Sequence, residues 1–311
     1  MLPWRSGELH RPAKGKGKDN TMVKSVAPGV FIRALALVLC SPVYAQAEFE
    51  GATGPLKPLW EVGGIGAVFN GPQYPAASSR HSNFLVVPYV VYRGETWRIG
   101  DGSVARAVAI DKKNYELDVS LNASFNADSA DDAARRGMPD LDYLFEVGPQ
   151  LKINLSGDTP DTEGRFGLDL QARGVFSTDF SYIEHQGGIF HPRWSYRHRG
   201  LLGQGSVLTL GVAPSWGSEA LLDYFYQVNP QFAITGRPAY DAKGGYLGTT
   251  VSLGLAFEAT RTIRLFVGGN LSFYQGSANR ASPLLQDDIT YAWGIGLSWR
   301  AYQSEQQVSG R

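Results

Sequence analysis

Apolar and polar residues alternate along most of this chain. Tyr115, Leu117, Val119, Leu121, Ala123 and Phe125 are interleaved with Glu116, Asp118, Ser120, Asn122 and Ser124. Leu141, Tyr143, Phe145, Val147, Leu151 and Ile153 are interleaved with Asp142, Glu146, Gln150, Lys152 and Asn154. The same period recurs from Arg165 to Phe176, Leu208 to Ala213, Leu247 to Glu258 and Ile263 to Phe273. A period of two predicts strands, with successive side chains on opposite faces. The last stretch, Ile289 to Arg300, is the clearest. Tyr291, Trp293, Ile295, Leu297 and Trp299 share one face, and Thr290, Ala292, Gly294, Gly296, Ser298 and Arg300 the other. An aliphatic face with aromatics at both ends suits a bilayer, and a small polar face suits a lumen. Gly294, Leu297 and Trp299 also resemble the C-terminal signal by which the outer-membrane assembly machinery recognises barrels. That signal usually ends the chain, whereas here Ala301 to Arg311 follow as a polar tail.

A soluble antiparallel sandwich would alternate as well. A membrane barrel is favoured because the strands run about ten residues or more, the length of a tilted crossing, against about five or six in soluble sheets. Charged residues also keep off the apolar face, where Lys or Arg near the midplane would cost roughly 2 to 4 kcal/mol. Strands are expected over 60–69, 83–93, 114–126, 141–155, 164–178, 189–199, 204–216, 244–258, 261–275 and 289–300. The interval 95–110 reads as one strand or two. Dividing it at the hairpin dipeptide Asp101-Gly102 gives an antiparallel transmembrane β-barrel of about twelve strands (about ten to fourteen), and an even number is expected of a bacterial barrel. Short connections at Asp111–Lys113, Gly200–Gly203 and Thr260 are then periplasmic. Asn126–Asp140, Phe180–Gly188, Gly217–Lys243 and Gly276–Asp288 become the outward loops.

Composition narrows the class further. A mean hydropathy of -0.19 is too polar for a bundle of membrane helices, while 37 Gly, 15 Tyr, 15 Phe and 7 Trp suit strands facing two solvents. With 29 basic and 29 acidic residues the chain is neutral, which argues against nucleic acid as a partner. Residues 1–21 read as an extension before the true start at Met22. Residues 22–47 read as a secretory signal peptide: Lys24 and Arg33 form its basic region, Ala34 to Cys40 its apolar core, and Ala45-Gln46-Ala47 its cleavage site, after Ala45 or Ala47. The mature chain would lack its only Cys, Cys40, in keeping with an oxidising periplasm. The expected organisation is then a periplasmic segment 48–59, a barrel 60–300 and a tail 301–311.

Several motifs then resemble those of one family in order. Gly71-Pro72-Gln73-Tyr74-Pro75, Val87-Pro88-Tyr89 and Tyr92-Arg93-Gly94 are similar to the N-terminal signature of the MipA/OmpV outer-membrane proteins. Arg136-Gly137-Met138, Asp140-Leu141-Asp142, Glu146-Val147-Gly148-Pro149, Tyr224 to Val228, Gly236-Arg237-Pro238-Ala239-Tyr240, Gly244-Gly245 and Ser282-Pro283-Leu284 continue the likeness. Where that family usually has Gly-Ser after Tyr-Pro, this chain has Ala76-Ala77-Ser78. The resemblance implies the cell outer membrane of a Gram-negative bacterium, contact with lipid and lipopolysaccharide, and insertion by the barrel assembly machinery. MipA-type members are described as scaffolds joining a lytic transglycosylase to a bifunctional penicillin-binding protein in murein growth. OmpV-type members are treated as proteins of osmotic response, adhesion or permeation. The resemblance leaves both roles open.

Candidate chemistry lies in the polar faces. Glu116, Asp118, Asp142 and Glu146 fall on two consecutive strands, and Arg165, Arg173, Arg193, Arg197 and Arg199 on the next two. If all point inward, an acidic wall adjoins a basic one, as in a porin constriction. Alternatively these charges pair and plug the lumen, since eight-stranded barrels are filled and open channels occur near sixteen strands. The loop carrying Tyr224, Tyr226, Gly236, Arg237, Pro238 and Tyr240 is the longest connection, and such a loop is functional, folds into the lumen, or packs on the barrel mouth. His81, His185, His191 and His198 invite a hydrolase reading, but the chain has no G-x-S-x-G and no metal-site spacing, so no catalytic residue, metal or cofactor is expected. Asp128, Asp131 and Asp132 could bind a divalent cation, although an acidic loop is usually only solvated.

Overall fold

The computed structural model describes residues 56–94, 97–99, 106–107, 110–112, 115–156 and 164–309. The expected extension, signal peptide and Asp101-Gly102 hairpin lie outside these. In chain order the strands are β1 (Leu56–Pro58), β2 (Trp60–Pro72), β3 (Arg80–Arg93), β4 (Trp97–Ile99), β5 (Arg106–Ala107), β6 (Ile110–Lys112), β7 (Tyr115–Ser124), β8 (Tyr143–Asn154), β9 (Gly164–Thr178), β10 (Glu184–Arg199), β11 (Ser206–Gly217), β12 (Gly245–Glu258), β13 (Ile263–Phe273), β14 (Ile289–Gln303) and β15 (Gln307–Ser309). Between β11 and β12 lie the α-helix α1 (Glu219–Tyr226) and a single 3-10 turn, Pro230–Phe232.

Strands β2 to β14 form one antiparallel sheet in the order β5-β4-β3-β2-β14-β13-β12-β11-β10-β9-β8-β7-β6. The first and last long strands, β2 and β14, pair from Asn70↔Trp293 to Glu61↔Gln303. The sheet curls on itself, because a single cavity is lined by residues of β2, β3 and β7 to β14. Phe69 of β2 and Phe125, just after β7, meet inside it with tilted rings whose centroids are 5.2 Å apart.

The alternation seen in the sequence sorts side chains between this interior and an apolar outer surface. Phe84, Ile295 and Trp299 are 72%, 56% and 53% exposed on that surface, whereas Val87, Ala123 and Val175 are buried within. A continuous band of exposed Val, Leu, Phe and Trp around a sheet is the surface a bilayer covers. On the closing strand Leu297 and Trp299 face outward and Gly294 inward.

Three boundaries differ from the sequence reading. β3 begins at Arg80, because the polar run Arg80-His81-Ser82-Asn83 still pairs with β2. β10 begins at Glu184, where a bulge between His185 and Gly188 breaks the alternation. The segment after Arg300 is no plain tail: β14 runs on to Gln303, and β15 pairs with β1 through Leu56↔Ser309, Lys57↔Val308 and Pro58↔Gln307.

This small sheet sits at the short-turn end over a buried charge cluster. Glu61 is 1% exposed and bonds Arg93 Nη1 through Oε1 at 2.7 Å and Arg300 Nη1 through Oε2 at 3.4 Å. Arg93 Nη1 also donates to the Pro58 carbonyl at 2.7 Å. Replacing Glu61 by Ala leaves two guanidinium groups facing each other, which should cost about 3 to 5 kcal/mol. We expect the Glu61→Ala barrel to unfold at markedly lower denaturant concentration, read by the loss of its heat-modifiable gel mobility.

Candidate functional site: a capped lumen

The largest apolar core among the described residues lies at the long-loop end, where loop side chains pack on Leu144, Val175 and Leu247 at the strand ends. Tyr74, Ala76 and Ala77 from the β2–β3 loop pack with Ala127 and Leu141 from the β7–β8 loop, with Leu221, Leu222, Phe225, Tyr226 and Val228 around α1, and with Leu284 and Leu285 before β14. The long loops therefore form one folded cap over the mouth.

Local chemistry explains why each piece sits where it does. Helix α1 starts at Ser218, whose Oγ accepts from Leu221 N at 3.4 Å and from Gly188 N at 2.9 Å, so one side chain caps the helix and ties it to β10. Gly244 passes so close to the helix start that a Cβ there would lie 2.8 Å from Glu219 N. Gly236, at φ +88, makes the tight turn bridged by Ile234↔Arg237.

Buried polar side chains then join the loops. Tyr226 is fully buried and donates its hydroxyl to the Pro75 carbonyl at 2.9 Å, while its own carbonyl accepts from Ser282 Oγ at 2.8 Å. Arg237 donates to the carbonyls of Ala134 (2.7 Å), Arg136 (3.0 Å) and Phe232 (2.8 and 3.1 Å). Tyr240 bonds Asn279 Oδ1 at 3.3 Å, and Tyr224 accepts from Asp142 N at 2.7 Å. Pro238 is exposed beside them. The Tyr224–Tyr240 loop is thus the cap's own framework.

Arg135 and Asn279 escaped the sequence reading, and Asp132 differs from the solvated acidic loop expected there. Asp132 is buried, with its oxygens taken by Ser79 Oγ (2.6 Å), Ala134 N (2.7 Å) and Gln286 Nε2 (3.2 Å), so it belongs to no solvated acidic patch. Arg135 is buried 5.5 Å over the Tyr74 ring and donates to the carbonyls of Phe225 and Pro139, both at 3.2 Å. Asn279 is fully buried and bonds both backbone groups of Lys243, at 2.9 and 2.8 Å. Only their place among Gly, Ala and Pro residues in a loop could have hinted at this.

Beneath the cap lies a cavity of about 300 Å³. Of the candidate lumen charges, Glu146, Arg173 and Arg193 line it. Glu146 accepts from Arg173 Nε at 2.8 Å and from Asn122 Nδ2 at 3.0 Å, and Arg173 also donates to Ser120 and Gln171. Asp118 sits lower on β7, paired with Lys152 at 3.1 Å. Glu116 shares its face of β7. Arg165 and Arg197 are register partners at the short-turn end of β9 and β10, with Arg199 beyond them. Asp142 lies apart from these charges at the mouth, where Tyr182 donates to it at 2.5 Å, pushing that phenol up to about 12. Acid and base on adjoining strands thus pair at Glu146 with Arg173 and at Asp118 with Lys152. His81 and His191 also line the cavity, with His191 Nδ1 2.8 Å from Ser215 Oγ, while His185 packs on Phe176 and His198 on Tyr196.

A family model described as MltA-interacting protein MipA matches residues 63–301. No curated protein matches the chain. Among solved structures the chain is similar to the NanC porin, at 8% identity and a TM-score of 0.35 over 78% of this chain and 99% of that one. It is also similar to OmpT, an outer membrane protein of Vibrio cholerae, at 7% and 0.35 over 80% and 98%. The outer membrane phospholipase A from Escherichia coli follows at 11% and 0.31 over 79% and 94%.

Burial pushes the phenols of Tyr74, Tyr224 and Tyr226 up. In the unfolded chain they ionise near about 10, so above that pH the folded state holds more protons and stability falls as pH rises. Below it these groups add no pH dependence. We expect tyrosinate absorbance to lag in the intact barrel and to appear as the cap opens. Tyr226→Phe should flatten that alkaline loss while costing about 1 kcal/mol at neutral pH for the bond to Pro75.

Proposed function

This chain is an outer-membrane β-barrel protein of the MltA-interacting protein MipA family, and from that premise we propose that it is a non-conducting scaffold for murein enzymes. Its partners on this reading are a lytic transglycosylase and a bifunctional penicillin-binding protein, met on the periplasmic side after secretory export. With β5 and β6 taken as one crossing, twelve strands put both ends of the barrel on that side.

The observation that carries the reading is the cap. A mouth filled by a folded apolar core, above a lumen whose acids and bases bond one another, supports a structural role over bulk permeation. The opposite end offers the docking surface: β1 and β15, held over Glu61, Arg93 and Arg300, together with the short turns. A narrow pore is the second reading, favoured by the cavity and by Arg173 and Arg193 on its wall. A hydrolase finds less support, since among the described residues no carboxylate bonds the His191 ring to complete a triad with Ser215.

The refolded chain from Glu48 should be silent in planar bilayers and should retain murein enzymes from a periplasmic extract. Deleting Ser304 to Arg311 removes β15 and should abolish that retention without loss of the barrel. Stable conductance steps altered in selectivity by Arg173→Glu with Arg197→Glu would favour the pore instead.

A further inference from the structure

The two walls of the cavity beneath the cap differ in bulk. Across β11 to β14 the facing positions are small: Thr209 faces Gly254, Gly254 faces Gly268, and Gly268 faces Gly294, which in turn faces Phe69 of β2. The next row toward the mouth is Gly211, Ser252, Asn270 and Ala292. A Cβ added at Gly254 would meet nothing within 4 Å. The opposite wall carries Glu146, Arg173 and His191. The small wall leaves the cavity of about 300 Å³, at the lower end of small-molecule sites.

The lining offers hydrogen bonds, and its Arg and Glu side chains have opposite charges as neighbours. Arg173 is closed on Glu146 at 2.8 Å, and Arg193 faces Asp169 across the β9–β10 register. The amides of Asn83 and Asn270 line the cavity, and among the described residues neither is engaged by another side chain. Each can donate and accept at once. Aromatic rings complete the lining, from the adjoining Phe69 and Phe125 to Phe266. Amides that bond adjacent hydroxyls, beside aromatic surfaces that cover C–H faces, match one ligand chemistry.

We infer that the lumen beneath the cap is a binding chamber for an uncharged, hydroxyl-rich ring of monosaccharide size. The chamber extends up to Gly71 to Pro75 on the underside of the cap. The chamber lies apart from the docking surface of the scaffold reading, which is at the opposite end of the barrel.

Saturation-transfer NMR on the full barrel, with heat-modifiable mobility as the check on folding, tests this with glucose, N-acetylglucosamine and glucuronate as probes. The neutral sugars should bind saturably, with glucuronate weaker by roughly tenfold. Gly254→Leu fills the chamber and should weaken neutral-sugar binding by at least roughly tenfold; Asn270→Leu gives the same readout if the first variant fails to fold. Three results would overturn the inference: no saturable binding of either neutral sugar to the folded barrel, a preference for glucuronate, or unchanged binding in a folded variant. None of them touches the retention assay that tests the scaffold.

Discussion

A strand surrounded by hydrocarbon cannot leave a row of amide and carbonyl groups unpaired, and the rest of this structure depends on meeting that constraint. The ladder between β2 and β14 goes far toward meeting it by joining the first and last long strands. Once those strands pair, every long strand has its sequence neighbour on at least one side, and alternation alone decides which side chains face lipid. The closure is reinforced where it is most exposed to fraying. Glu61 on β2 and Arg300 on β14 bond across the join, and β1 with β15 carry the pairing past the edge of the sheet.

The cap follows from the same closure. A sheet that turns most of its apolar residues outward builds only a small hydrophobic core within, here around Phe69, Leu85 and Val87. The loops supply the larger core at one end, where water is present and irregular backbone is tolerated. That arrangement explains the unusual number of buried polar groups there. Loop backbone has no ladder to satisfy its carbonyls, so Arg135 and Arg237 fan their donors over those of Pro139, Phe225, Phe232, Ala134 and Arg136. A guanidinium suits this task because five donors in a fixed fork can serve several acceptors without a counter-ion in contact.

The strands were legible because period-two alternation is a direct record of a surface between two solvents. Ile289 to Arg300 could be assigned face by face, and it lies that way. Strand ends were less legible, since at the mouth both faces are polar: Arg80 to Asn83 pair as strand with no alternation to mark them. The C-terminal pairing left no pattern, because three residues of β15 are too few to show a period. The resemblance motifs were visible as motifs, but not their common purpose. Gly71 to Pro75, Tyr224 to Val228, Arg237 and Ser282 to Leu284 are far apart in sequence and meet only in the cap, which no local pattern records. Asp132 was misleading for a related reason: an acidic loop looks solvated until Ser79 and Gln286, from two other loops, close over it.

The interior charges show how lumen chemistry is fixed by register more than by composition. Acidic residues on β7 and β8 beside basic ones on β9 and β10 could have made opposed walls. Register instead brings Glu146 of β8 within reach of Arg173 on the adjacent β9, and Asp118 of β7 within reach of Lys152 on β8. A bonded pair in a narrow, partly dry space gives much of its field to its own partner, so little is left to orient a passing ion. The wall that the charged strands face is neutral and carries a run of small residues, from Thr209 through Gly254 to Asn270. One end of this barrel is thus closed by packing, the other by paired strands and a buried ion cluster, and the space between them is shaped by residues chosen for small size.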